Sequence, residues 1–204
     1  MTFSATPAPR GSATKKRILE AADELFYEHG IKNVSIEDVV ERASTTRMTL
    51  YRHFSSKDDL AVSFLQRRSA DDRRTVESLT ARAAGNGTEA LMLLASAIGL
   101  ETSAPSFRGC PFLSAAGGFR DPDHPVRRVV DDHRAWYRGM VLRLVRAAGV
   151  RDPAGTTDRI VMLRDGAMVR GYLGNATGRF TSIERAMQAL LADGSPAPAG
   201  TASP

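Results

Sequence analysis

The chain has 204 residues, of which 28 are Lys or Arg, 23 are Asp or Glu and 42% are hydrophobic, giving a formal net charge of +5. This composition excludes a chain that is disordered throughout, because the net charge is small and the apolar residues suffice for a core. The single cysteine, Cys110, excludes an internal disulfide and a cysteine-rich zinc site. No segment resembles a signal peptide or is long enough to span a membrane, and we therefore expect a cytoplasmic protein.

The excess of positive charge does not lie in the N-terminal part of the chain. Residues 1–60 contain nine Lys or Arg and nine Asp or Glu, whereas residues 61–204 contain nineteen and fourteen. Bulk charge therefore does not mark the N-terminal segment as a nucleic-acid-binding region. If that segment binds DNA, the positions of individual cationic side chains must carry the binding.

The periodicity of the apolar residues predicts an all-α protein of about nine helices, without strands or internal repeats. We expect residues 1–13 to form a flexible arm and residues 194–204 to form a disordered tail, because small, polar and proline residues dominate both. Apolar residues spaced by three and four positions predict a first helix from about Thr14 to His29.

Two short helices and a long one are predicted next. The first short helix follows Ser35, which forms a capping-box pattern with Asp38, and the second covers Arg47 to His53. Ser56 is placed to cap the long fourth helix.

Two short helices joined by a tight turn and braced by a preceding helix form a helix-turn-helix. The second short helix would be about 10 Å long and would fit a major groove about 12 Å wide. The alternative is a three-helix bundle whose polar face is only solvated. The predicted outward face of the second short helix consists of Thr46, Arg47, Thr49, Arg52 and His53.

Four runs within residues 17–64 share one known pattern: Arg17-Ile-Leu-Glu-Ala-Ala, Leu25-Phe-Tyr-Glu-His-Gly30, Ser35-Ile-Glu-Asp-Val39 and Thr49-Leu-Tyr-Arg-His-Phe-Ser-Ser-Lys57-Asp-Asp-Leu60. The pattern resembles the DNA-binding domain of the tetracycline-repressor (TetR) family. The resemblance implies an all-helical homodimeric transcription factor with a divergent ligand-sensing domain. It implies a DNA-binding domain over 14–60, with the helix-turn-helix at about 35–54, and a ligand-binding and dimerisation domain over 61–193.

The resemblance also implies which residues contact DNA. It assigns backbone contacts to Ser35, Thr46, Thr49, Tyr51, His53 and Lys57, whereas Arg47 and Met48 are our candidates for reading bases. Ser44 stands where the family usually has Gly, and Met48 stands where a small residue is usual, so the operator of relatives does not carry over. Together with Arg52, the predicted DNA-binding residues are Ser35, Thr46, Arg47, Met48, Thr49, Tyr51, Arg52, His53 and Lys57.

The C-terminal region is predicted to contain helices over about Thr88–Thr102, around Phe112, from Asp121–Pro125 to near Ala148, over Thr157–Asn175 and from Thr181 onward. The helix over 157–175 is apolar on more than one stripe, so it needs a core on one side and a partner on another. With the last helix it is predicted to pair with a second copy in a four-helix bundle. The predicted dimerisation residues are Ile160, Leu163, Ala167, Gly171, Ile183, Met187 and Leu190.

By the same resemblance, a cavity between the long C-terminal helices binds a small-molecule effector. Aromatic and methionine side chains favour a small, mostly apolar effector, and a phosphate ligand is disfavoured because no basic side chain is predicted to point inward. The alternative is that these side chains only fill a solid core. The candidate ligand-binding residues are Phe107, Cys110, Phe112, Phe119, His133, Trp136, Tyr137, Met140, Met168 and Tyr172.

The sequence contains no glycine-rich phosphate loop and no Gly-x-Ser-x-Gly motif, so we predict neither an enzyme nor a cofactor. We predict no metal site, since helix capping explains Asp123 and His124, and an oxidant-sensing role for Cys110 stays open. The leading interpretation is a transcriptional repressor that a small effector releases from a palindromic operator in double-stranded DNA. The alternatives are a small-molecule binding protein with a vestigial helix-turn-helix and an activator of the same architecture.

Overall fold

The computed structural model describes residues 10–174 and 179–194, and these ranges contain nine α-helices and no strand. The all-α prediction is therefore confirmed. A short 3-10 helix, Ile31–Asn33, connects the first two α-helices. In chain order the α-helices are α1 (Arg10–His29), α2 (Ile36–Arg42), α3 (Arg47–His53), α4 (Lys57–Arg82), α5 (Gly87–Ser103), α6 (Pro111–Gly118), α7 (Pro125–Ala147), α8 (Pro153–Tyr172) and α9 (Arg179–Gly194).

The packing contacts divide the chain into two compact units. The described residues of Met1–Ser69 form the first unit together with Pro111–Val130. The second unit consists of Ala70–Cys110 and the described residues of Asp131–Pro204. The sequence predicts a single boundary after residue 60, and the structure differs because α6 and the start of α7 pack with the N-terminal helices.

In the first unit, α1 contacts both helices of the helix-turn-helix. The side chains of Ile18 and Leu50 have no exposed surface, and the Phe26 and Phe64 rings meet edge to face with their centroids 5.6 Å apart. Each such buried side chain contributes about 1.5–3 kcal/mol. The Arg17 Nε–H also donates to the carbonyl of Ala43, at 2.9 Å, and so links α1 to the end of α2.

The first helix begins one turn earlier than predicted, at Arg10 rather than near Thr14. Ser12 and Ala13 are tolerated inside a helix, so the helix continues past Thr14 towards the N-terminus. Residues 10–13 of the predicted arm are therefore helical, and the rest of the arm lies outside the described residues.

The first short helix begins, and the second both begins and ends, at the predicted residues. The Ser35 Oγ accepts from the Asp38 N–H at 3.1 Å, and the Asp38 carboxylate accepts from the Ser35 N–H at 2.7 Å. This confirms the capping box, and the hydrogen bonds from Ser35 hold the pKa of Asp38 below its ordinary value. The turn before α3 places Ser44 at a φ of 45°, in the left-handed region that glycine occupies at a lower cost.

Within the first unit, the connection between α6 and α7 packs against the segment before α2 and against the beginning of α4. The Lys32 ammonium lies 3.8 Å from the centroid of the Phe119 ring, which also stacks on His124 with centroids 4.7 Å apart. The His124 Nε2 in turn lies 3.3 Å from the Asp58 carboxylate on α4. These contacts brace the segment before α2 and the beginning of α4.

In the second unit, α5 packs on α8 and α9, which also pack on each other. The start of α8 lies before the predicted Thr157, because the Asp152 carboxylate accepts from the Gly155 N–H at 3.0 Å and Pro153 takes the first helical position. The predicted end of this helix, Asn175, lies outside the described residues. Helix α9 begins at Arg179, two residues before the predicted position.

One glycine marks a close contact between α5 and α7. A Cβ atom added to Gly87 would overlap the Leu144 carbonyl and the Ala148 backbone nitrogen. Backbone atoms inside a helix cannot move aside independently, so only a residue without a side chain fits at this position.

We expect Gly87→Ala to lower the free energy of unfolding by about 1–3 kcal/mol, as overpacking usually does. The matched control is Gly139→Ala in α7, where the new Cβ would meet only the flexible end of Arg143, at 3.9 Å. Because alanine has a higher helix propensity than glycine, Gly139→Ala should raise the free energy of unfolding by about 0.5–1 kcal/mol. Urea unfolding followed by circular dichroism measures both changes, and equal effects would contradict the close contact at Gly87.

Candidate functional site

The exposed face of α3 carries four of the predicted DNA-binding residues. Met48 is 83% exposed and Tyr51 is 40% exposed, and Arg47 and Arg52 lie beside them on the same face. The opposite side of this helix is fixed by Leu50, which is fully buried. Two guanidinium groups, a phenol and a thioether therefore project from a short helix whose inner side is held in the core.

Two of the predicted backbone-contact residues are helix caps. The Thr46 Oγ1 accepts from the Thr49 N–H at 3.1 Å and lies 2.9 Å from the Thr49 hydroxyl, while Ser35 caps α2. Their hydroxyls already have protein partners, which fix the ends of α2 and α3.

The arginine that begins α3 is paired within the protein. An Arg47 Nη1 nitrogen lies 2.6 Å from the Glu37 carboxylate on α2, and the guanidinium lies 5.8 Å from the centroid of the Tyr51 ring. The Tyr51 side chain and the Glu37 carboxylate raise the pKa of Arg47 above its ordinary value. To contact a base, Arg47 must therefore leave Glu37.

Two lysines flank the helix-turn-helix. Lys57 begins α4, and its ammonium donates to the Lys32 carbonyl at 3.5 Å. Burial and the Lys32 cation lower the pKa of Lys57 from its ordinary value. Sequence reasoning missed Lys32, whose only sequence signal is a basic residue in the short segment before α2.

His53 does not have the exposed position that the sequence predicts. Its side chain is half-buried, and its Nε2 is enclosed without a hydrogen-bond partner among the described residues. Its ring lies near the beginning of α1, which extends further than predicted and covers this end of α3.

The second unit contains a cluster of polar and aromatic side chains along α7. The His133 ring lies 5.3 Å from the Trp136 ring, and the Arg73 guanidinium lies 4.4 Å from the centroid of the Trp136 ring. Burial lowers the pKa of His133 to about 3, with Arg164, Arg73 and a further arginine of α7 adding to the effect. The Asp72 carboxylate lies 3.5 Å from the His133 Nε2 but is half-exposed, so the imidazole stays neutral at physiological pH.

A buried arginine is the main feature that sequence reasoning missed. Arg164 points inward from α8, with both terminal guanidinium nitrogens 3.7 Å from the Cys110 sulfur, and lies 4.8 Å from the centroid of the Tyr137 ring. The expectation that no basic side chain points inward is therefore wrong. In the sequence, Arg164 lies four residues from both Ile160 and Met168. This spacing places it on the stripe of α8 that faces inward.

The predicted ligand-binding residues do not form one group. Phe112 and Phe119 are buried in the first unit, and Tyr172 is 64% exposed with its ring beside Gly109. The sequence does not predict this separation, because the aromatic side chains of both units are equally apolar. The other seven lie buried or half-buried in the second unit: Phe107, Cys110, His133, Trp136, Tyr137, Met140 and Met168.

Four of the predicted dimerisation residues fill the core of their own unit, namely Ile160, Gly171, Ile183 and Met187. The apolar stripe that α8 exposes is a different one. Met162, Val169 and Leu173 are 65%, 51% and 71% exposed, and Gly166 lies between them on the same face. Leu163, Ala167 and Leu190 are half-buried, and the first two line a cleft of about 330 Å³ with Ile183.

Residues 18–63 match the family model described as bacterial regulatory proteins, tetR family. The HTH-type transcriptional regulator TtgR of Pseudomonas putida is 36% identical over 52 residues, which are 26% of this chain and 25% of TtgR. The similarity to this curated relative thus spans only about a quarter of its length. The family model covers part of α1, all of α2 and α3, and the beginning of α4.

Solved structures resemble almost the whole chain. SCO4454, a TetR-family transcriptional regulator from Streptomyces coelicolor, is 34% identical with a TM-score of 0.87, over 91% of this chain and 97% of SCO4454. This chain belongs to the TetR family. A second TetR transcriptional regulator, Sav143 from Streptomyces avermitilis, is 25% identical with a TM-score of 0.74, over 89% of this chain and 97% of its own.

Membership of the TetR family confirms the resemblance inferred from the sequence. The protein is a transcriptional regulator with a DNA-binding domain, and TetR-family regulators are not enzymes. Among the helices described for this TetR-family chain, none is both long and apolar enough to cross a membrane.

We expect Glu37→Gln to raise the affinity of this TetR-family protein for DNA about two- to fivefold at low salt, because it releases Arg47 from an exposed ion pair. Glu41→Gln, the same change at an exposed position on the same helix, is the control. Fluorescence anisotropy with a labelled duplex measures both affinities. An equal gain in both variants would mean that only the net charge matters and that Glu37 does not restrain Arg47.

Proposed function

We propose that this TetR-family regulator is a cytoplasmic repressor that binds a palindromic operator as a homodimer and leaves it when a small, mostly apolar effector binds. The observation that carries the DNA-binding part is the exposed face of α3, where Arg47, Met48, Tyr51 and Arg52 project together. A helix of this size fits the major groove of DNA, and arginine pairs with guanine through two hydrogen bonds.

Different residues take different roles on the DNA. Arg47 and Met48 read base edges, with Met48 against a thymine methyl, whereas Tyr51, Arg52 and Lys57 contact phosphates. Lys32 is a further phosphate contact. Its carbonyl accepts from Lys57 at the start of α4, and its side chain is exposed, whereas that of Lys57 is half-exposed. Ser35, Thr46 and Thr49 orient the helices through their caps, and the enclosed His53 leaves the set of direct contacts.

A second copy covers the exposed stripe of α8, which consists of Met162, Gly166, Val169 and Leu173. Residues at these spacings of four, three and four lie along one helix face, as in helices that pack in pairs. A symmetric dimer places two recognition helices on two half-sites about one turn of DNA apart. We therefore assign the dimer contact to this stripe and not to Ile160, Gly171, Ile183 and Met187, which lie in the core.

Effector binding reaches the DNA-binding residues through the chain itself. Cys110 is the last residue of its segment in the second unit, and Pro111 begins the segment that returns to the first. That segment contains Phe119 and His124, which contact Lys32 and Asp58. An effector that displaces Cys110 thus shifts α6 and the braces around the helix-turn-helix, in proportion to its differential affinity for the two states.

Selection of genomic fragments by the purified protein, followed by sequencing, tests the proposed function. Recovery of one palindromic site supports it, whereas uniform recovery at low salt would favour the binding protein with a vestigial helix-turn-helix. A reporter gene downstream of the site then separates a repressor from an activator, because deletion of the regulator raises expression only if it represses.

On the selected site, Arg47→Ala should weaken binding by roughly tenfold or more and reduce the preference for the wild-type base pair that it contacts. Lys57→Gln should weaken binding to all sequences alike and reduce the slope of log K against log salt by about 0.9. Arg42→Ala and Lys16→Gln, at exposed positions on α2 and α1, are the controls. If Arg47→Ala keeps both affinity and base preference, α3 is not the recognition helix.

The proposed dimer predicts the mass of a dimer by light scattering at micromolar concentration. Val169→Glu puts a charge in the middle of the exposed α8 stripe and should shift the mass towards that of a monomer, because an unpaired charge is costly in an apolar contact. Ala135→Glu, at an exposed position of α7, should leave the mass unchanged. A wild-type monomer, or a Val169→Glu dimer, contradicts the proposed contact.

A further inference from the structure

Within the part of the chain that the structure describes, the buried hydroxyl of Tyr137 uses none of its hydrogen-bonding capacity. The side chain is only 8% exposed, and its oxygen has no hydrogen-bond partner among the residues that the structure describes. Burial raises the pKa of Tyr137 to about 12, so the group is a neutral phenol that can donate one hydrogen bond. A buried donor without an acceptor is unfavourable, and a ligand acceptor would relieve that cost.

The cation next to this phenol shares its carboxylate with a second arginine. Arg164 is also 8% exposed, and its nearest carboxylate is that of Asp165, at 3.2 Å. The same carboxylate lies 2.8 Å from Arg134, so one negative charge serves two guanidinium groups. Burial opposes the charge on Arg164, yet Cys110, Tyr137 and Asp165 hold its pKa above its ordinary value.

Among the described residues, the other acceptor of Arg164 is a sulfur atom. Both terminal nitrogens of the guanidinium lie 3.7 Å from the Cys110 sulfur, which is 6% exposed in total. Sulfur is a weak acceptor, whereas a guanidinium forms two strong parallel hydrogen bonds with a carboxylate. An oxygen anion at this position would therefore bind Arg164 more strongly than Cys110 does.

Other charges act on the phenol from the neighbouring helices. Asp72 on α4 and Glu101 on α5 raise the pKa of Tyr137, while Arg164 lowers it. Arg73 is held over the Trp136 ring, at 4.4 Å. An anion that contacts Arg164 also lies near Asp165, so a ligand with one negative charge is repelled less than a ligand with two.

Apolar side chains lie one or two helical turns beyond this polar pair. Met140 lies one turn after Tyr137 on α7, and Met168 lies one turn after Arg164 on α8, both 3% exposed. The Phe107 ring covers α8 at Gly171, where an added Cβ would lie 2.6 Å from its edge. Flexible thioethers and an aromatic ring favour an apolar ligand body and adapt to its shape.

We propose that Arg164 and Tyr137 form a binding site for a monoanionic carboxylic acid with an apolar body. The carboxylate accepts from the Arg164 guanidinium, in place of the Cys110 sulfur, and from the Tyr137 hydroxyl, while Met140, Met168 and Phe107 contact the body. A neutral ligand offers the guanidinium no negative charge, and a phosphate dianion is repelled by Asp165 more strongly than a monoanion is. That this acid is the effector rests on the proposed function, whereas its binding does not.

Thermal unfolding at pH 7 tests the site with phenylacetate and octanoate, each compared with its neutral amide of nearly the same shape. We expect the acids to raise the melting temperature of the full chain and the amides to bind at least tenfold more weakly. Equal shifts with acids and amides, or no shift with either acid, would overturn the proposal. These unfolding measurements need no DNA, so their result does not depend on whether an operator is found.

Tyr137→Phe removes only the unpartnered hydroxyl, so the variant should melt at the same or a higher temperature without ligand. We expect it to bind phenylacetate about tenfold more weakly, whereas Tyr172→Phe, on the exposed side of α8, should bind it like the wild type. Unchanged binding by Tyr137→Phe overturns the site.

Arg164→Lys keeps the charge but loses the paired donors, so its preference for acid over amide should decrease. If this variant does not fold, nitrogen-15 NMR of the wild-type arginine side chains provides the same test. One buried Nε–H resonance should shift with phenylacetate and not with phenylacetamide, and a spectrum that stays unchanged contradicts the proposal. Release of DNA by phenylacetate is then measured separately, and its failure with binding intact refutes only the role as effector.

Discussion

The helices that face the DNA are too short to be stable without the rest of the first unit. Each of α2 and α3 has seven residues, and isolated helices of that length do not form in water because nucleation is unfavourable. Their geometry depends on the buried side chains of Ile18, Phe26, Leu50 and Phe64 and on the caps at their ends. A fixed core beneath α3 is therefore the condition for presenting Arg47 and Met48 at a defined angle.

Local signals in the sequence predicted the helix-turn-helix well. The ends of α3 and the capping box of Ser35 and Asp38 follow from residues a few positions apart, and the structure confirms both. The inward direction of Arg164 and the first-unit packing of Phe119 depend on contacts between residues far apart in the chain. Periodicity shows that a helix has an apolar stripe, but it does not show what covers it.

Helix α8 illustrates this difference. Its sequence is apolar on several sides, which predicts two contact surfaces. The residues of this helix that we predict to contact a second copy are Ile160, Leu163, Ala167 and Gly171. In the structure, Ile160 and Met168 lie in the core while Met162 and Val169 are exposed. Which stripe is buried depends on where α5 and α9 pack against α8, and a local sequence pattern does not contain these tertiary contacts. The same interior stripe contains Arg164, so a helix that stabilises the core also brings a charge into it.

The contacts of Phe119 and His124 make the DNA-binding unit discontinuous in sequence. Residues as far apart as Lys32 and Phe119 must be present before this part of the unit is complete. Native-state hydrogen exchange would then show α6 opening together with the segment before α2, as one cooperative unit. During synthesis, the N-terminal helices would leave the ribosome well before Phe119 does and would wait for a contact about ninety residues later in the chain.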